Sequence, residues 1–113
     1  MKEFMMIFVG APYDDLSPQE IQERLGKWFA WHGKMEAAGI IKSSEALQPK
    51  VKRISGEDRV VADGPFVESK EVVGGFYVIR AESVEKVIEI AQDFPEYDIG
   101  GSVEIREVMT FDQ

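Results

Sequence analysis

The sequence contains no cysteine. That excludes a disulfide framework, a thiolate nucleophile and every cysteine-ligated metal or cluster site, and it removes any argument for an oxidising compartment. Histidine is almost as scarce. His32 is the only one, so a histidine-cluster metal site is excluded as well. Carboxylates remain as hard-cation ligands, but no Asp-rich loop has calcium spacing. The expectation is a protein without bound metal or cofactor. Long apolar runs are also missing. The run from Phe4 to Val9 is too short to span a membrane, and Glu3 interrupts any signal-peptide n-region, which leads to a cytoplasmic protein as the default expectation. There is no glycine-rich phosphate loop and no serine nucleophile elbow.

Positive charge is in deficit. Thirteen Lys and Arg face 21 Asp and Glu, for a net charge of −8. Such a surface repels phosphate backbones and anionic lipid. The basic residues are scattered, with Lys50, Lys52 and Arg53 the densest group. Neither nucleic acid nor membrane is therefore an expected partner. What is present is apolar: 44% of 113 residues are hydrophobic. That suits one domain over residues 1–113 and a core that needs no staples.

Glu3 to Gly10 has the length and composition of a strand, with Phe4, Met6 and Phe8 on one face and Met5, Ile7 and Val9 on the other. Both faces are apolar, where a sheet with one wet face would alternate. Ser17, Pro18 and Glu20 then form a capping box with proline at the first helical position. The helix is expected to run to about Ala38 and stop at Gly39, with Ile21, Leu25, Trp28, Phe29, His32 and Met35 as its apolar stripe. Residues 43–62 read as a polar strand or long hairpin around Ser55-Gly56-Glu57-Asp58. Val72 to Ile79 is a second strand apolar on both faces. Ser83 caps a second helix, and a last strand runs from Ser102 to Phe111.

The order β-α-β-β-α-β predicts an α+β fold of ferredoxin-like type, an antiparallel sheet with two helices on one face. Nothing in the chain covers the other face, although two strands are apolar there. A homodimer with sheets face to face, a dimeric α/β barrel, resolves the conflict.

Asp63-Gly64-Pro65-Phe66, then Glu68-Ser69-Lys70-Glu71 and Gly74-Gly75-Phe76-Tyr77, resembles the DGPF signature of YCII-related proteins. Ala38-Gly39-Ile40-Ile41, Ala46-Leu47-Gln48-Pro49 and Gly101-Ser102-Val103-Glu104-Ile105-Arg106 agree with it in order. The resemblance covers nearly the whole chain and implies a dimeric α/β barrel. It is specific for the family and says little about activity. Related YciI-like proteins have a proposed active site built on a histidine early in the first helix, paired with an aspartate. The corresponding position here is Trp28, and His32 falls one turn later, so that dyad does not transfer.

His32 has two readings. It lies within about 20° of Ile21's direction on the helix, near the middle of the apolar stripe. It is either a core histidine satisfied by hydrogen bonds or a general acid/base in a pocket between helix and sheet. Asp63 either holds the turn that Gly64 and Pro65 need or presents its carboxylate to that pocket. Together they are the candidate catalytic pair. Trp28, Phe66 and Tyr77 are candidate ligand-binding residues, with plain core packing as the alternative.

Three functions fit. The first is a small-molecule binding protein, or a cofactor-independent enzyme, with a pocket near His32 and Asp63. The second follows from the resemblance, because some family members are encoded beside extracytoplasmic-function sigma factors; it is a regulatory module that binds a protein partner. The third, a cofactor-free monooxygenase-like barrel, rests on fold analogy alone.

Overall fold

A computed structural model describes residues 1–10, 13, 15–64 and 72–111. The strand β1 (Lys2–Val9) leads to the helix α1 (Pro18–Ala37) and to β2 (Ile41–Ala46). A hairpin follows, β3 (Val51–Ser55) and β4 (Val60–Gly64). The chain closes with β5 (Val73–Ala81), α2 (Val84–Ala91) and β6 (Ser102–Glu107). The main sheet is antiparallel in the order β2-β5-β1-β6. With two helices on one face, it is ferredoxin-like.

Local sequence explains the start and end of α1. The Ser17 hydroxyl accepts from the Glu20 N–H at 3.1 Å, and the Glu20 carboxylate accepts from the Ser17 N–H at 3.2 Å. Two N–H groups that lack helical partners are thus satisfied. At the far end Gly39 takes φ 71°, a conformation that residues with a Cβ rarely adopt.

The core lies between the helices and one sheet face. Phe4, Met6 and Phe8 of β1 and Tyr77 and Ile79 of β5 meet Trp31 and Met35 of α1 and Val87 and Ala91 of α2. Phe4, Met6, Ile79 and Val87 are wholly enclosed, each burial stabilising by about 1.5–3 kcal/mol.

Three expectations need correction. The strand that follows α1 into the main sheet is Ile41–Ala46, at the sheet edge, and the hairpin is a separate two-stranded sheet. Pro49 separates the two, since proline has no N–H to continue a ladder. The last strand ends at Glu107, leaving Met109 and Phe111 exposed. The buried face of α1 is also rotated from the expected stripe. Trp31 and Met35 are buried, while Leu25 and Phe29 are exposed. Trp31, off the expected stripe, packs against Phe8 of β1 and Tyr77 of β5, and Leu25 and Phe29 face outward.

The other sheet face carries Met5 and Ile7 of β1 beside Val78 and Phe76 of β5, each pair directly opposed. Glu104 and Arg106 of β6 flank them. Among the described residues no helix lies on this face.

Candidate functional site

A cleft of about 1340 Å³ lies between α1, the ends of β1, β2 and β5, and the turn before β6. Its walls are aromatic. Phe8 meets Trp28 at 5.0 Å and Tyr77 at 5.1 Å between ring centroids, both edge to face, and Trp31 stacks on Tyr77 at 5.7 Å. Such pairs contribute about 0.5–1.5 kcal/mol beyond their buried area, so the walls are preformed. Leu25 and Phe29, displaced from the core, extend them.

Two polar stations interrupt this apolar lining. The first is Glu96, which is buried although it is an acid. Its Oε2 accepts from the Trp28 Nε1–H at 2.8 Å and from the Tyr13 hydroxyl. Among the described residues none donates to Oε1. The Glu96 carbonyl accepts from the N–H of Ile99 at 3.2 Å and of Gly101 at 2.9 Å, which fixes the turn. The Arg24 guanidinium clamps the same turn to α1, with two bonds to the Asp98 carboxylate at 2.9 and 2.8 Å and one to the Pro95 carbonyl at 3.2 Å.

These contacts set the ionisation of the cluster. Burial, reinforced by the Glu96 carboxylate, pushes the Tyr13 hydroxyl up to about 12, so Tyr13 stays a neutral donor. Hydrogen bonds from Arg24 hold Asp98 down at about 2. The same pairing raises Arg24.

The second station is His32. Its Nδ1 lies 2.9 Å from the Tyr77 hydroxyl and its Nε2 3.2 Å from the Glu36 carboxylate, one helical turn on. Burial raises the Tyr77 hydroxyl above its ordinary range.

The fold therefore brings together three of the residues singled out in the sequence, His32, Trp28 and Tyr77, all of which line the cleft. Asp63 stands elsewhere. It lies in β4, its side chain 75% exposed, and pairs with Lys52 at 2.9 Å across the hairpin. Phe66 lies outside the described residues. Sequence reasoning missed Glu96, Tyr13 and Arg24. The signal available for Glu96 was faint: a carboxylate between Phe94-Pro95 and Tyr97, close to Gly100-Gly101. Among the described residues no group of three or more His, Asp or Glu is placed to hold a metal ion, and no helix is long and apolar enough to cross a membrane.

Comparison with known proteins adds three findings. Residues 4–112 match the YCII-related domain. An uncharacterised protein of Rhizobium meliloti (strain 1021) is 35% identical over 60 residues, which are 52% of this chain and 48% of that protein. The match thus spans about half the length of this curated relative. The fold resembles that of the 5-chloro-2-hydroxyhydroquinone dehydrochlorinase of Burkholderia phenoliruptrix AC1100, solved in complex with 2,5-dihydroxybenzoquinone. The TM-score is 0.52 with 15% identity, over 95% of this chain and 93% of that one. At that identity the likeness is one of fold.

Proposed function

The chain belongs to the YCII-related domain family, and we propose that its cleft binds a small, mostly apolar ring compound and can move a proton to or from it without a cofactor. One observation carries this reading: a buried carboxylate, Glu96, is held by two donors inside an aromatic-walled cleft. Burying a carboxylate is unfavourable unless it is paired. Tyr13 and Trp28 satisfy Oε2, and a hydroxyl or amine on a ligand completes the set at Oε1. Trp28, Tyr77 and Phe8 supply the apolar contact, and His32 supplies an imidazole that can accept or give up a proton. A protein of similar fold was solved with a hydroxyquinone, a ring that carries hydroxyl groups.

On the opposite sheet face, Met5, Ile7, Phe76 and Val78 pack against a second copy of the chain about a two-fold axis, giving a dimeric α/β barrel. The cleft then sits on the helix side of each protomer, away from the contact.

Ligand titration followed by NMR tests the binding reading. With 2,5-dihydroxybenzoquinone and simple phenols as probes, the Trp28 indole N–H resonance is expected to move first. Glu96→Gln is expected to weaken binding about tenfold, the loss of a charge-assisted hydrogen bond. Saturable shifts confined to the hairpin or the open sheet face would sink the reading.

A further inference from the structure

The second station of the cleft reaches further than ligand binding, while resting on it. We infer that Tyr77, His32 and Glu36 form a proton path from the cleft to bulk solvent, and that the ligand carries an ionisable hydroxyl, phenolic or enolic, which loses its proton along it.

The geometry assigns a direction to every hydrogen. The Glu36 carboxylate can only accept, so the 3.2 Å contact requires a hydrogen on His32 Nε2. In the neutral ring Nδ1 is then bare. At 2.9 Å the Tyr77 hydroxyl donates into it. With its own hydrogen committed to His32, the Tyr77 oxygen presents lone pairs and is an acceptor toward the cleft.

Exposure grades along the same line. Tyr77 is 7% exposed, the His32 side chain 33% and the Glu36 side chain 72%. The histidine ring therefore bridges a dry end and a wet end. Ser44 of β2, directly opposite Tyr77, is the polar neighbour across the strands. Apart from His32, the charged side chains on the cleft are Glu96, Glu45 and Lys50, and the last two balance. The path is thus the one route on the cleft's described lining that leads through a titratable ring to a solvent carboxylate.

The step balances without a redox partner. The O–H bond of the ligand breaks and its proton forms a new O–H bond on Tyr77. The original Tyr77 proton forms an N–H bond on His32 Nδ1. The products are a bound oxyanion and an imidazolium, and the Glu36 carboxylate steadies the imidazolium until Nε2 releases a proton to water. Because burial disfavours the ionised phenol of Tyr77, that residue relays the proton and does not store the charge. Tyr77 touches the ligand, while His32 and Glu36 act through it as positioning and accepting groups.

Two measurements decide the matter. In the ligand-free protein, nitrogen NMR of the neutral His32 ring is expected to show Nε2 protonated and Nδ1 bare. A ring protonated at Nδ1 overturns the path before any ligand is added. In the second measurement, 4-nitrophenol serves as a probe whose colour reports its ionisation. Bound to the protein it is expected to ionise about one pH unit lower than in free solution, a tenfold change. His32→Gln and Tyr77→Phe should abolish that shift, and Glu36→Gln should reduce it. A bound probe that ionises as it does in water overturns the path and leaves the binding reading standing. A probe that does not bind at all overturns both.

Discussion

The Tyr13 hydroxyl rests on the Glu96 carboxylate, and its ionisation differs between folded and unfolded chains. Folded, it titrates at about 12; unfolded, near the ordinary 10.0. Between these values the folded state holds more protons, so stability falls as pH rises. The contribution is whole below pH 10 and lost as pH approaches about 12. Tyr13→Phe should lower the urea midpoint at neutral pH, by removal of a hydrogen bond, and flatten the decline between pH 10 and 12. Asp98 has the opposite sign. Its folded value of about 2 lies below the ordinary 3.8, because Arg24 holds the anion. Stability from this pair is whole above pH 3.8 and lost as pH falls toward about 2. Denaturation of Asp98→Asn across pH 2 to 5 should show a shallower acid limb than the parent protein. An unchanged limb would mean that Arg24 and Asp98 do not pair in solution. Both tyrosine and aspartate stand near residues with which they share no sequence pattern. Tyr13 and Glu96 are separated by 83 positions. Periodicity reports the face of an element and not the partner that it meets across the fold. For that reason His32 was legible as an inward-facing group and Tyr77 as a candidate, while the bond between them was not.

At the scale of elements, two glycines place the cleft's components. A Cβ on Gly101 would come within 2.9 Å of the Glu96 carbonyl oxygen and 3.0 Å of the Glu96 Cβ. Its absence lets the turn fold tightly enough to tuck Glu96 under Trp28. Gly101→Ala should therefore displace Glu96 and weaken probe binding, with stability falling by about 1–3 kcal/mol. Gly75 has a similar constraint on β5, where a Cβ would lie 2.8 Å from the Glu45 carbonyl oxygen of β2. Gly75→Ala should cost a similar amount but act on the sheet edge. Its effect on the Trp28 indole resonance should be smaller than that of Gly101→Ala, and an equal effect would argue against separate roles. Elements themselves were largely readable, because their signals are local. The capping box at Ser17 and Glu20 and the glycine stop at Gly39 need only a few neighbouring residues, and both appear where the residue types put them. The start of the second strand is masked in the sequence, because Val51, Ile54, Val60 and Val61 outweigh Ile41 in a polar stretch. Those valines and Ile54 belong to the hairpin, where Ile54, Val60 and Val61 are all more than half exposed. Apolar character predicted burial that the isolated chain does not provide.

For the whole molecule, shape and hydropathy point the same way. The radius of gyration is 16.0 Å, against about 13 Å for a compact chain of this length. The principal extents are 48 × 40 × 19 Å, the thickness of one helix layer on one sheet. Among the described residues such a slab leaves one sheet face without a covering element, and in the middle of that face Ile7 stands directly opposite Phe76. Self-association must overcome the repulsion of two chains of net charge −8, which is screened within about 8–10 Å at ordinary ionic strength. A substitution that disrupts the contact while easing that repulsion separates the two effects. Phe76→Lys changes the net charge from −8 to −7, since −8 + 1 = −7. If long-range charge governed association, this variant would dimerise more tightly. If the apolar face governs it, a lysine ammonium buried against the partner's sheet has no counter-ion, and the dimer dissociates. Sedimentation at several protein concentrations is expected to show a dimer for the parent chain and a monomer for Phe76→Lys. The melting temperature should rise with concentration only in the parent, because association stabilises by mass action. The cleft lies on the helix side of the sheet, so the monomeric variant should still bind the phenolic probes. A parent chain that sediments as a monomer at every concentration would leave Met5, Ile7, Phe76 and Val78 to some other covering and remove the two-fold barrel from the account.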